Sequence, residues 1–237
     1  MISKIKRGAF LISHLLFLGC NAQSVLIESE LETVSVEKIK YFLYYPEDYQ
    51  YNKEKQYGIL LFLHGSGDIP LNSNESMSPP KLLVDGTRFP FLILVPQLLD
   101  QKKMWNTRAV MQLLDTIVNN NRVDKKKIYV SGLSRGGAAA WNLVIEYPDT
   151  FAALAVVCGM APTPYADWID KSLPIWVFHG EEDKSIPINE SEEMVNKLKK
   201  MNYNVKFTKY KRLGHEIWDK VYSNSELYIW LDNQKKM

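Results

Sequence analysis

The chain has 237 residues, of which 46% are hydrophobic, 24% charged and 12% aromatic; this is the make-up of an ordinary globular protein, it excludes a disordered, collagen-like or coiled-coil chain, and the length suits one compact domain. The formal charge is +2, but Lys4, Lys6 and Arg7 sit at the extreme amino end; without residues 1–19, 26 basic side chains face 27 acidic ones, a net of −1, so composition gives no support for a nucleic-acid partner. Two cysteines and four histidines (His14, His64, His179 and His215) are too few for a disulfide scaffold, a four-cysteine zinc site or a histidine-rich metal centre, and no metal or cofactor is expected.

The amino end is basic, and Ala9 to Gly19 is an apolar run broken only by Ser13 and His14. Residues 1–19 read as an export signal, too short to span a bilayer. Leu18-Gly19-Cys20 resembles a bacterial lipobox, with Phe17 where leucine is usual; on that reading Cys20 becomes the lipidated first residue of an exported lipoprotein and its one attachment to a membrane. Cleavage after Ala22 is the alternative and leaves a periplasmic or secreted protein. Residues 20–34 then form a lead-in, and 35–237 the folded domain.

Lys38 to Tyr45 reads as a strand stopped by Pro46, and Gly58 to Leu63 as a strand buried on both faces, ending at His64-Gly65. Phe91 to Val95 is another. Arg108 to Asn121 carries apolar residues at helical spacing (Val110, Leu113, Leu114, Ile117, Val118). Strand Lys127–Ser131 runs into Gly132, and helix Gly137–Tyr147 is stopped by Pro148. Phe151–Cys158 and Pro174–Phe178 read as strands, Ser191–Met201 as a helix, Val205–Tyr210 as a strand, and Glu226–Leu231 as part of a final helix. Cys158, in an apolar run, is expected to be a buried, inert thiol. Strands alternating with helices predict an α/β architecture: a mostly parallel sheet with helices on both faces. In such sheets ligands bind beyond the carboxyl ends of the strands.

The chemistry-bearing residues follow those strand ends. Gly132-Leu133-Ser134-Arg135-Gly136 is a G-x-S-x-G sequence between a strand and a helix, a context that places the serine on a strained turn with glycines where side chains would clash. A serine nucleophile needs a base and a carboxylate to orient that base. His64 precedes Ser134 in the chain, and His179 is read as stabilising its own turn. In sheets of this kind the order along the chain is nucleophile, acid, histidine, which selects His215. The acid falls among Glu181, Glu182 and Asp183; Asp183 is favoured because Ile186-Pro187 resumes the apolar pattern, with Glu182 second. An oxyanion would be held by the backbone N–H of Arg135 and by one from the loop His64-Gly65-Ser66-Gly67, with Ser66 chosen and Gly67 as the alternative.

These segments resemble the α/β-hydrolase superfamily over about residues 38–234. Ile128 to Gly137, His179-Gly-Glu-Glu-Asp183 and Gly214-His215 look like its nucleophile, acid and base segments. Gly214-His215-Glu-Ile-Trp218-Asp-Lys-Val-Tyr222, with Tyr147-Pro148-Asp149-x-Phe151, is similar to secreted bacterial esterases related to dienelactone hydrolases, feruloyl and acetylxylan esterases and polyhydroxybutyrate depolymerases, a group often labelled predicted peptidases. The resemblance implies ester hydrolysis through an acyl-serine intermediate, with no cofactor. Gly159 to Leu173 is too short for a large lid domain, so an open cleft is expected, accessible to small or polymer-linked esters, acylated carbohydrates among them. Trp105 and Trp218 are candidate substrate-binding residues, and Trp168 and Tyr165 are further candidates for stacking on sugar or aromatic groups. The competing readings are a serine peptidase on the same scaffold and a non-catalytic surface binding lipoprotein.

Overall fold

The computed structural model describes residues 38–66, 88–98, 100 and 102–236. The expected export signal, Cys20, the lead-in up to residue 34 and Gly67 lie outside these residues. Among the described residues seven strands form one sheet: β1 (Lys40–Tyr44), β2 (Tyr57–Leu63), β3 (Leu92–Gln97), β4 (Val123–Leu133), β5 (Ala153–Val157), β6 (Ile175–Gly180) and β7 (Val205–Tyr210). Their spatial order is β1-β3-β2-β4-β5-β6-β7. β1 is antiparallel to β3, and every other pairing is parallel.

Burial explains why the central strands read as unbroken apolar runs. β2, β3, β5 and β6 are buried along their whole length, because both faces of a parallel sheet are covered. Alternate residues feed two cores. Ile59, Leu61, Val130, Leu154, Val156, Ile175 and Val177 point into one; Leu60, Phe62, Tyr129, Ala155, Trp176 and Phe178 point into the other. On the first face lie α1 (Thr107–Asn120), α2 (Arg135–Glu146) and α3 (Asn189–Lys200), which contribute Val110, Leu114, Trp141, Val144, Met194 and Leu198. On the second lie the carboxyl-terminal helices α4 (Trp218–Tyr222) and α5 (Ser225–Asp232), with Val221, Tyr222, Leu227 and Leu231. The edge strands β1 and β7 are only partly buried.

Several element bounds differ from the sequence-based expectation. β4 begins at Val123, four residues earlier than expected: Val123 pairs with Tyr57, pairing with β2 resumes at Ile128 after a register shift, and Lys125 and Lys126 between them face solvent. α2 starts at Arg135, directly after Ser134. Short 3-10 turns at Glu47–Gln50 and Thr163–Trp168, and the five-residue α4, were not expected. None of the helices in the described residues is long and apolar enough to cross a membrane.

The register brings the strand ends into line: Leu63 pairs with Gly132, Leu133 with Val157, Val157 with Phe178, and Gly180 with Tyr210. β2 has β3 on one side and β4 on the other, so the chain reverses its direction of travel across the sheet between them. That switch point is where a crevice opens at the carboxyl edge of such a sheet. Here the start of α2 presses on the end of β2. A Cβ on Gly136 would coincide with the Leu63 carbonyl and come within 2.6 Å of the His64 carbonyl oxygen. Neither obstacle is a flexible side chain, so the strand and helix must separate to admit it. Gly136→Ala is therefore expected to lower unfolding free energy by about 1–3 kcal/mol, measured by urea titration; an unchanged midpoint would mean that the contact relaxes freely.

Candidate active site

Ser134 joins β4 to α2 with φ 52° and ψ −119°, a conformation that L residues occupy only when their surroundings impose it. The turn is imposed from both flanks. Gly132 and Gly136 lie so close together that a Cβ on Gly132 would overlap the Gly136 carbonyl, and the Ser134 N–H donates to the Val157 carbonyl at 2.8 Å. Ser134 precedes the helix but its hydroxyl makes no capping bond. Its Oγ instead lies 3.0 Å from Nε2 of His215.

His215 lies beyond β7, and its ring spans from Ser134 to Asp183: Nδ1 is 2.7 Å from Asp183 Oδ2. A neutral imidazole whose Nδ1–H donates to the carboxylate presents an unprotonated Nε2 to the hydroxyl. The Asp183 side chain is fully buried and the His215 side chain 19% exposed. Asp183 Oδ1 accepts the N–H groups of Ser185 (2.8 Å) and Ile186 (2.9 Å). Burial pushes the Asp183 carboxyl upward, but the hydrogen bonds from His215, Ile186 and Ser185 outweigh it and hold the group below its ordinary value. Glu181 and Glu182 face solvent; the Glu182 N–H donates to Leu213 O at 2.9 Å and so ties the acid's turn to the loop that carries His215. That loop is anchored further by the Cys158 thiol, which donates to the His215 carbonyl at 3.4 Å, and by buried Ile217, Val221 and Tyr222. The Tyr222 hydroxyl shares a 2.9 Å hydrogen bond with Ser131 Oγ on β4.

The opposite wall is built from the end of β2. His64 is buried, and both of its ring nitrogens are engaged. Nδ1 lies 2.9 Å from Gly65 O, and Nε2 accepts the Leu98 N–H at 3.0 Å. The Leu98 bond requires an unprotonated Nε2, so the proton sits on Nδ1 and is donated to Gly65 O. Burial, with a smaller push from Arg135, holds the His64 imidazole below its ordinary pKa. The Gly65–Ser66 peptide is trans, so fixing the Gly65 carbonyl against His64 turns the Ser66 N–H the other way. Gly65 lies against the serine turn: a Cβ there would stand 3.2 Å from Ser134 Cβ. The Arg135 N–H opens α2, where a helix has no carbonyl to offer it. The Arg135 side chain reaches away and donates to Lys103 O at 3.1 Å.

The aromatic candidates separate. Trp218 packs edge-on against His215, ring centres 5.8 Å apart. Trp105 is only 8% exposed; its indole N–H donates to His64 O at 3.2 Å and its ring packs edge-on against His64 at 5.0 Å, so it props the β2 loop and offers no open face. Trp168 and Tyr165 are exposed and paired at 5.0 Å. Lys197, in the last turn of α3, donates to the Thr163 and Pro164 carbonyls at 2.9 Å each and ties the turn that carries the pair to that helix. Cys158, Asp183 and His215 place ligand-type atoms within 4.8 Å of one another. The set suits a resident cation poorly: Asp183 and His215 are already bonded to each other, and burial pushes the Cys158 thiol up to about 12, so it keeps its proton. Sequence reasoning missed the supporting roles of His64 and Trp105, whose one visible signal is the position of His64 directly after an apolar strand.

Comparison with known proteins places these residues in context. A family model described as phospholipase/carboxylesterase matches residues 94–229, a stretch that holds Ser134, Asp183 and His215. A probable inactive carboxylesterase of Oryza sativa subsp. japonica is 32% identical over 95 residues, 38% of this chain and 39% of that protein. A bifunctional acetylxylan esterase/xylanase of Neocallimastix patriciarum is 27% identical over 132 residues, 53% of this chain and 19% of that one. The chain thus spans well under two thirds of either relative. The crystal structure of a thermostable esterase superposes with a TM-score of 0.70 at 26% identity, covering 84% of this chain and 60% of that one, and the architecture is the α/β-hydrolase fold.

The depressed His64 value has a consequence for stability. In the unfolded chain the imidazole takes up a proton near its ordinary 6.5, while in the folded protein it stays neutral to lower pH. Acidification through that window therefore favours the unfolded state. The corresponding window for Asp183 lies lower, below its ordinary 3.8. Between about pH 7.5 and pH 5.5 the wild type should lose more unfolding free energy than His64→Asn, which cannot titrate. Urea titrations at the two pH values check this, and equal losses would contradict it.

Proposed function

The chain belongs to the phospholipase/carboxylesterase family, and on that footing we propose that it is a serine hydrolase that cleaves carboxylic esters through an acyl-serine intermediate. The observation that carries the reading is the unbroken line Ser134 Oγ, His215, Asp183, with contacts of 3.0 and 2.7 Å. Ser134 Oγ attacks the ester carbonyl while His215 Nε2 takes its proton. Buried Asp183 holds the Nδ1–H and stabilises the imidazolium. The Arg135 and Ser66 N–H groups stabilise the oxyanion. His215 then returns the proton to the departing alkoxide, the alcohol leaves, and Ser134 carries the acyl group. Water, deprotonated by the same Nε2, attacks the acyl-serine; as the tetrahedral intermediate collapses, the imidazolium returns the proton to Ser134 Oγ, and the acid is released.

Acyl groups displayed on carbohydrate are the substrate class we favour. Three observations support it: the short Gly159–Leu173 connection (too small to form a lid domain), the similarity to an acetylxylan esterase/xylanase, and Trp218 beside His215. The basic start and apolar run of residues 1–19 support an exported enzyme, held to a membrane through Cys20 where the lipobox is used.

A fluorophosphonate is expected to label Ser134. Ser134→Ala and His215→Ala should each lower kcat on short p-nitrophenyl esters by roughly 10⁴-fold or more. Retained turnover in Ser134→Ala would remove the mechanism. Asp183→Asn should harm kcat far more than Glu182→Gln, since only Asp183 meets His215; the reverse ranking would move the acid's role. Acetyl, butyryl and feruloyl esters on simple and sugar alcohols, with a peptide p-nitroanilide as contrast, measure the substrate preference.

A further inference from the structure

His179 lies on the last turn of β6, with its side chain wholly shielded from solvent. Its Nε2 is 2.9 Å from the Ile186 carbonyl oxygen and 3.1 Å from Asp183 Oδ2. Both neighbours are acceptors, so Nε2 carries the proton; the N–H donates to the Ile186 carbonyl, and its positive edge lies against Asp183 Oδ2. On the far side, Nδ1 lies 2.8 Å from the hydroxyl of Ser191, itself buried in the first turn of α3. With the proton on Nε2, Nδ1 of the neutral ring accepts, and the serine donates. Asp183 Oδ2, the oxygen that meets His215 Nδ1 at 2.7 Å, therefore lies between two imidazoles, hydrogen-bonded to one and in polar contact with the other. Oδ1 is held separately by two backbone N–H groups.

The geometry points to His179 as a positioning residue for the proposed reaction, acting through Asp183 with Ser191 behind it. This inference rests on the serine-hydrolase reading above. A carboxylate held by backbone donors at Oδ1 alone is free to swing its second oxygen about that anchor. His215 holds the second oxygen from one side, and the positive Nε2–H edge of His179, 3.1 Å away, holds it electrostatically from the other, which together set the plane of the group. The two acceptors at Nε2 set the tautomer, and the Ser191 hydroxyl, donating to Nδ1 at 2.8 Å, holds the ring in its plane so that the Nε2–H edge stays against the carboxylate. The buried chain Ser191–His179–Asp183–His215–Ser134 thus runs from the first turn of α3 to the attacking hydroxyl. Asp183 lies four residues after His179, and the turn between them folds the acid back onto the histidine ring.

The test compares His179→Phe, which keeps an aromatic ring and loses the donor, with His179→Gln, which restores an N–H near the same place. Rates are expressed per site titrated with a fluorophosphonate, so that loss of folded protein does not count. His179→Phe is expected to lower kcat by about 10- to 100-fold, with KM within about twofold, and His179→Gln to recover most of the loss. The low-field proton resonance of the His215 Nδ1–H should shift in His179→Phe. A wild-type kcat per site and an unshifted resonance in His179→Phe, or a Gln variant no better than Phe, overturns the inference. If His179→Phe yields no folded protein, Ser191→Ala serves in its place: it should lower kcat per site several-fold and shift the same resonance, and an unshifted resonance overturns the inference there too. Failure of the hydrolase reading shows up separately, as a wild type that neither turns over esters nor labels at Ser134.

Discussion

The contact between the end of β2 and the start of α2 sets the geometry on which the rest of the site depends. The backbone of α2 reaches the Leu63 carbonyl only because residue 136 has no side chain, and the backbone of Gly132 reaches Gly136 for the same reason. Ser134 lies between these two close approaches, and its φ of 52° is what a chain must adopt to turn from strand to helix in so little space. A strained residue of this kind costs on the order of 1–3 kcal/mol, and two buried strands and a buried helix stand against that cost. The turn raises the hydroxyl above the sheet edge and leaves the helix's first N–H groups pointing into the same space. The raised placement of the Ser134 hydroxyl and the free N–H groups of α2 thus arise from one backbone constraint.

The polar groups around that turn are divided between two walls. On the β2 side, His64 uses both ring nitrogens on the backbone and Trp105 braces its carbonyl; this wall fixes peptide planes and carries no mobile charge. On the β6–β7 side lies Asp183, a fully buried carboxylate. A buried carboxylate is tolerable only with donors at both oxygens; here two backbone N–H groups hold Oδ1 and the His215 ring holds Oδ2, with the His179 ring edge 3.1 Å away. The resulting charge faces His215 across 2.7 Å, with little water between to screen it. Cys158 lies close by but keeps its proton through burial, so it anchors the His215 backbone without competing as a nucleophile or ligand.

The sheet's central strands were legible in the sequence because burial on both faces erases the alternation and leaves apolar runs. The same rule hid the amino half of β4, where exposed Lys125 and Lys126 lie between Val123, which pairs with Tyr57, and Ile128, where pairing resumes after a register shift. α4 was hidden for a different reason: five residues hold too few turns for a periodic signal, and its place is set by the Tyr222–Ser131 bond across 91 residues. Ser134, Asp183 and His215 could be chosen from chain order and strand ends, since a parallel sheet delivers every strand terminus to one edge. Trp105 could not be assigned that way. Whether an indole stacks on a ligand or is buried depends on its tertiary neighbours, and here the neighbour is His64. Nor does the sequence distinguish a histidine that holds its own turn from one that also reaches the acid; His179 does both, through two acceptors on one nitrogen.

The walls differ in what they can tolerate, and this bears on how such a site diversifies. The β2 wall and the serine turn interlock through backbone atoms, so side-chain changes there meet carbonyls that cannot yield. In the connection Gly159–Leu173, the turn that carries the exposed Tyr165–Trp168 pair is tied to the last turn of α3 by Lys197. Among the described residues, Trp218 is thus the large aromatic side chain left next to the base with part of its surface open. The carboxyl edge thus has fixed backbone geometry on one side of Ser134 and the partly open Trp218 ring beside His215 on the other, so changes at residue 218 alter the surroundings of the imidazole without disturbing the turn that holds Ser134.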